Sequence, residues 1–175
     1  MPLLINQYME ADYMKGLILY RSHYGNTKQV ADMVSQQLLA LNHQAVVQDV
    51  RQNLPDLKDF DFFFVGSPTR FGGPAWRAKR VVKKLAKKGA GQKPVVLFDT
   101  LGIIPTDPAQ LEKSRKYIFP GAAGILFKIA QEQKLNVYPE TLRCEVNGAK
   151  GPLVEGCAEK VAEFTKKFVE TFKNS

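Results

Sequence analysis

The chain has 175 residues, of which 45% are hydrophobic and 24% charged, a balance that suits a globular unit with a substantial core. Only two cysteines (Cys144, Cys157) and two histidines (His23, His43) occur, which excludes a disulfide framework and any metal site built from those residues alone. The net charge is +8, and no apolar run approaches the roughly 20 residues that a membrane-spanning helix needs.

Residues 1–14 carry Glu10 and Asp12 and no basic n-region, so they read as an N-terminal arm, either disordered or upstream of a start at Met14, and not as a secretory signal. A cytoplasmic location is the expectation. Residues 15–175 read as a single domain. Lys15 to Arg21 has the apolar run of a buried strand. Thr27 to Leu41 spaces Val30, Val34, Leu38 and Leu41 as one face of a helix. Ala45 to Val50 is a second strand and Phe60 to Val65 a third. Pro74 to Lys88 is a helix stopped by Gly89. Val95 to Asp99 is a fourth strand. The stretch from Ile103 to Pro120 is long for a connection, and its Pro, Asp and Lys content suits a surface excursion, a lid or a subunit contact. Ala122 to Gln133 is helical, and Thr141 to Val146 is a short fifth strand. A last helix runs from about Leu153 to Phe172, with Val154, Cys157, Val161, Phe164, Phe168 and Phe172 on its inner stripe. Both cysteines therefore fall on buried positions and are expected to be inert. Alternation of strands and helices predicts a doubly wound α/β fold, with one parallel sheet covered on both faces.

In such sheets ligands sit outside the C-terminal strand ends, where the strand order reverses. Three segments fall at those ends. The first is Ser22-His23-Tyr24-Gly25-Asn26-Thr27, a turn between strand and helix. It gathers backbone N–H donors at a helix N-terminus, which carries roughly half a positive charge, between the hydroxyls of Ser22 and Thr27. Such a cluster suits a phosphate. Taken alone it also reads as a plain capped turn with Thr27 as N-cap. The second is Ser67-Pro68-Thr69-Arg70-Phe71-Gly72, and its agreement with the first favours the ligand reading. The third is Asp99-Thr100-Leu101.

These residues resemble a known family. Ser22-x-x-Gly25-Asn26-Thr27 after an apolar strand looks like the FMN phosphate loop of flavodoxins, and the aromatic before Gly-Asn-Thr is similar to the flavodoxin domains of flavodiiron proteins. Ser67 to Gly72 is similar to the second flavin loop of flavodoxin-like NAD(P)H:quinone reductases. The resemblance covers nearly the whole chain from Met14 onward. It implies a five-stranded parallel sheet in the order 2-1-3-4-5 and FMN as cofactor. Ser22, Thr27 and the amides from His23 to Thr27 would hold the phosphate. Thr69, Arg70 and Phe71 would lie against the isoalloxazine, with Gly72 allowing close approach. The third segment departs from the flavodoxin pattern because it lacks an aromatic, which leaves Tyr24 and Phe71 as candidates for stacking. Tyr24 reads equally as surface packing, and Trp76 as either overlooking the pocket mouth or packing under the loop. Arg70 would stabilise negative charge on a reduced flavin.

The charge excess is local. Arg77, Lys79, Arg80, Lys83, Lys84, Lys87, Lys88 and Lys93 lie between Pro74 and Pro94 with no acid among them; outside that window bases and acids balance. On the helix 77–88, Lys79/Lys83, Arg80/Lys84, Lys83/Lys87 and Lys84/Lys88 are like-charged neighbours that repel by a few tenths of a kcal/mol each. A solvated amphipathic face is one reading. A docking face for an acidic redox protein, or for an anionic small-molecule substrate, is the other. No groove-reading motif accompanies the basic helix, so nucleic acid is not expected. Three functions follow from the resemblance: an FMN electron carrier between protein partners, an FMN-dependent NAD(P)H:quinone-type oxidoreductase, or a flavin-free binding module of the same fold.

Overall fold

A computed structural model describes residues 13–174. The arm expected over 1–14 lies outside them except for Tyr13 and Met14. Five strands, β1 (Lys15–Tyr20), β2 (Gln44–Asp49), β3 (Phe62–Pro68), β4 (Val95–Gly102) and β5 (Leu142–Val146), form one parallel sheet in the order β2-β1-β3-β4-β5. Five α-helices connect and cover them: α1 (Asn26–Ala40), α2 (Trp76–Lys87), α3 (Pro108–Ile118), α4 (Gly121–Glu132) and α5 (Cys157–Lys173). The order reverses at β1 and β3, so their C-terminal ends flank a crevice.

The strands are apolar throughout because helices bury both faces. Leu17, Leu19, Phe63, Val65, Val95 and Leu97 meet Val81, Val82 and Leu85 of α2 and Leu126 and Ala130 of α4. The alternate residues Ile18, Phe62, Phe64, Val96 and Phe98 meet Val30, Val34 and Leu38 of α1 and Val161 and Phe168 of α5. This is the period of two expected of a pleated sheet. Phe168 anchors the second layer, with its ring 5.2 Å from each of Phe62, Phe64 and Tyr138. Gly66 in β3 sits beside Phe98, and a Cβ there would fall inside the phenyl ring.

Element ends differ from the sequence reading most in four places. β3, expected over Phe60 to Val65, runs on to Pro68, because Ser67 and Pro68 pair with Asp99 and Thr100 of β4. β4 continues past Asp99 to Gly102, because Phe98–Gly102 pair with Leu142–Val146 of β5. Thr100 and Leu101 are thus strand residues. The excursion 103–120 contains α3, whose start has Asp107 Oδ1 accepting from the Gln110 amide at 2.9 Å, followed by Pro108 in the first turn. Only Ile118 of this helix is buried, so the apolar spacing that marks a helix is missing from its sequence. The last helix begins at Cys157, since Leu153 is held in a bridge with Val146. Among the described residues no helix is long and apolar enough to cross a membrane.

Candidate functional site

A cleft of about 220 Å³ opens at the C-terminal ends of β1, β3 and β4. Three walls come from the predicted segments: Ser22, His23, Tyr24, Asn26 and Thr27; Pro68, Thr69 and Arg70; Thr100 and Leu101. The fourth wall is Val146, Gly148 and Ala149, from the connection between β5 and α5.

The β1–α1 turn is built to leave donors open. Gly25 adopts φ 94°, a left-handed conformation that costs an L-residue about 1–2 kcal/mol, and caps α1 without a side-chain bond. Its own amide donates to Ser22 Oγ at 3.0 Å, and its carbonyl accepts from Gln29. The amides of Ser22, His23, Tyr24, Asn26, Thr27 and Lys28 have no acceptor among the described residues, as expected at the free end of a helix. Beneath them Thr27 Oγ1 and Thr100 Oγ1 lie 2.8 Å apart and buried. One hydroxyl donates to the other, so one hydroxyl hydrogen of the pair stays uncommitted. Unsatisfied amides around a hydroxyl pair are the donor set a phosphate dianion requires, and the cradle fits one.

The second loop is a tight hairpin. Arg70 and Gly73 exchange backbone bonds at 2.9 and 3.0 Å, with Phe71 at φ 51° and Gly72 at φ 83° between them. Two central residues with positive φ define a type I′ turn, which normally holds Asn-Gly. Phe71 therefore occupies a conformation unfavourable for its type, and its ring is 93% exposed at the tip. A Cβ on Gly72 would lie 2.6 Å from the Lys116 carbonyl, so the turn sits tightly on α3.

Asp99 and Ser67 lie under the cleft rather than in its wall. Asp99 is fully buried and accepts from Thr69 Oγ1 (2.8 Å), the Ala123 amide (3.1 Å), and Arg143 Nε (3.0 Å) and Nη2 (2.9 Å). Thr69 Oγ1 in turn accepts from the Ala122 amide at 2.7 Å, and its own amide donates to Thr100 O. Only the carbonyl of Thr69 remains for a ligand. Arg143 also donates to Ile118 O at 2.9 Å. This network ties β4, β5, the second loop and the start of α4 together, and so fixes the floor of the cleft. Ser67 Oγ accepts from the Ala75 amide at 2.9 Å ahead of α2. Phe71 and Gly72 stand at the rim. Tyr24 is 46% exposed and tilts toward the fourth wall, with Lys150 Nζ 5.8 Å from its ring.

Sequence reasoning missed that fourth wall and Arg143. Asn147-Gly148 and Gly151-Pro152 are turn dipeptides directly after a strand, a signal that marks a loop without showing where it packs. Asn26 Nδ2 donates to Lys150 O at 3.0 Å and stacks close over Gly151, which locks this loop onto the β1–α1 turn.

Sheet order and the switch-point crevice together define a doubly wound α/β protein with a cleft lined by open backbone amides. A flavodoxin-domain family model matches residues 17–120, more than half the chain, and the protein belongs to that family. No curated protein matches the chain by sequence. Among solved structures it is similar to Flavodoxin 2 from Bacillus cereus (24% identity, TM-score 0.64, covering 90% of this chain and 99% of that one). It is also similar to a flavodoxin from Pseudomonas aeruginosa (20%, 0.67, 91% and 99%). Rubredoxin oxygen:oxidoreductase from Desulfovibrio gigas matches at 13% identity and TM-score 0.67, with 99% of this chain laid on 40% of that one. At these identities the likeness is one of fold.

Proposed function

We propose that this chain binds FMN in the cleft and carries electrons between protein partners. The observation that carries the reading is the set of open amides at residues 22–24 and 26–28 beside the Thr27–Thr100 hydroxyl pair. A flavodoxin from Fusobacterium nucleatum of the same fold (12% identity, TM-score 0.62) was solved bound to flavin mononucleotide, which supports the assignment by analogy. FMN, when bound, supplies the reversible uptake of electrons. The chain's residues do the rest. The amide cradle and the Thr27–Thr100 pair hold the phosphate. Pro68, Thr69 and Arg70 offer backbone and one guanidinium to the ring side of the cleft. The Asp99–Arg143 network keeps those loops from moving apart. Exposed Phe71 and Trp76 beside a cationic helix give the rim an apolar centre and a charged border, the make-up of a transient docking surface.

The test is titration of the purified chain with FMN and, separately, riboflavin, read by flavin fluorescence. Thr27→Val is expected to weaken FMN about tenfold and to leave riboflavin unchanged, because only the first ligand has a phosphate. Failure to bind FMN overturns the reading. Steady NAD(P)H oxidation with a quinone by the flavin-loaded protein would replace the carrier assignment with a reductase.

A further inference from the structure

Beside the cleft two shallow lobes flank Trp76, and the second shares His23, Pro68 and Arg70 with the cleft wall. One, of about 170 Å³, lies between α2 and the turn after β2, with Arg51, Arg77, Arg80 and Lys84 as its cations. The other, of about 180 Å³, is lined by Arg21, Arg70 and Arg77 with His23. Trp76 and Arg77 belong to both, and no Asp or Glu lines either. Arg77, Arg80 and Lys84 have no ion pair among the described residues. Their spacing of three and four residues puts them on one flank of α2. Arg51 faces them from the other side, oriented by Asp49 through bonds of 3.0 Å (Nε–Oδ1) and 2.8 Å (Nη2–Oδ2), which leaves its Nη1 uncommitted. Trp76 is 58% exposed, and the Arg77 guanidinium lies 4.6 Å from its ring centroid. Gln52 and Asn53 complete the lining of the first lobe.

Asp49 compensates Arg51 from behind, but Arg77, Arg80 and Lys84 repel one another across the hollow, and an anion seated there relieves that cost. The cations are mostly arginines, whose planar forks match phosphate oxygens in pairs. The two cationic lobes are separated by a flat indole with guanidinium on one side. We propose that this trough is a second ligand site, for a purine nucleotide that carries phosphates at two separated positions. The base stacks on Trp76, one phosphate sits among Arg51, Arg80 and Lys84, and the other sits between Arg21 and Arg77. Gln52 and Asn53 present amides of the kind that pair with an adenine edge. An acidic protein surface is the weaker match, because a convex partner meets the outward Lys79, Lys83 and Lys87 and not the hollow.

Trp76 is the only tryptophan of the chain, so its fluorescence reports on this trough; in the series with FMN each titration is read against the FMN-loaded emission, because flavin absorbs where tryptophan emits. The full chain, saturated with FMN in one series and without added FMN in another, is titrated with adenosine 2′,5′-bisphosphate, ADP, AMP, inorganic phosphate and an oligoglutamate peptide. Calorimetry runs in parallel. The bisphosphate is expected to change Trp76 emission saturably and to bind at least tenfold tighter than each of the others. Excess FMN is not expected to displace it. Arg80→Glu is expected to weaken it tenfold or more with FMN affinity unchanged, and Trp76→Ala to abolish selectivity over inorganic phosphate. Equal binding of inorganic phosphate, ADP or the peptide overturns the proposal, as do displacement by FMN and indifference to Arg80→Glu. The site stands apart from the flavin assignment: a chain that binds the bisphosphate but no FMN keeps it, and a chain that binds FMN but no bisphosphate sinks it.

Discussion

Replacing Arg143 with methionine isolates what the ion pair beneath the cleft contributes. Asp99 is fully buried and Arg143 is 17% exposed. Removing the guanidinium takes three of the bonds to the Asp99 carboxylate and leaves only the Thr69 hydroxyl and the Ala123 amide as donors. An uncompensated buried carboxylate costs about 3–5 kcal/mol. A chain of this size has roughly 5–15 kcal/mol of stability, so Arg143→Met should consume a large part of it. At about 2–4 °C per kcal/mol the melting temperature should fall by roughly 6–20 °C. The double variant Asp99→Leu/Arg143→Met removes both charges and leaves the Thr69 hydroxyl and the Ala123 amide short of an acceptor, a loss of about 1–3 kcal/mol for each group and so about 2–6 kcal/mol together. Because both changes remove the same interaction, the double variant should lose clearly less than the sum of the losses of Asp99→Leu and Arg143→Met. Urea denaturation at constant m-value measures all three. A single variant that loses less than about 1 kcal/mol, or a double variant that loses the full sum of the two single changes, would refute the view that the charge of Asp99 is held by Arg143.

Gly25→Ala should weaken FMN by about 1–2 kcal/mol, because alanine must adopt φ 94° to keep the amides of the cradle in place, although the space beside Gly25 is empty; fluorescence titration reads it. Arg70→Ala should lower the flavin reduction potential by about 40 mV per electron, the equivalent of ~1 kcal/mol for one exposed charge a few ångströms away; an unchanged potential removes Arg70 from the electrostatics. Burial pushes the Asp49 carboxyl up, but hydrogen bonds from Arg51 outweigh it and hold the group below the usual carboxylate range. Its contribution to stability is therefore present above the unfolded value, near pH 4, and is lost as pH falls through the folded one. Asp49→Asn should flatten the acid limb of a stability–pH curve. The Cys144 thiol is pushed up by its interaction with Cys157 and by burial. It should resist thiol reagents in the native chain and react once the chain is unfolded.

The sheet was legible because its strands are short apolar runs between turn residues, and a doubly wound order needs no contact information beyond that alternation. The three strand-end segments were legible for the same reason. What could not be read was the division of labour inside them. Asp99 follows a strand and carries charge, which in a loop suggests a ligand; the extension of β4 by β5 pairing and the distant Arg143 turn it into a buried support. Ser67 looks like a second hydroxyl for the ligand and instead receives the Ala75 amide. Neither outcome has a local signal, since each depends on a partner 8 to 44 residues away. The helix α3 was hidden because it buries almost nothing, although Asp107-Pro108 is an N-terminal signature.

The basic helix looks uniform in sequence and is not uniform in the fold. Ala78, Val81, Val82 and Leu85 face the sheet, and the cations fill the remaining arc, one edge of which lines the hollow beside Trp76. Both arginines of the helix, with Lys84, fall on the edge beside Trp76, and Lys79, Lys83 and Lys87 fall farther out. Lysine is a strongly hydrated point charge and suits long-range attraction that salt screens, whereas arginine suits oriented contact with a planar anion. Under the two proposals above, the outer lysines would supply a diffuse field for acidic partners and the inner edge a hollow for a phosphate. The sorting also accounts for the missing glutamates, since one acid on the inner edge would neutralise the hollow and one farther out would cut the field.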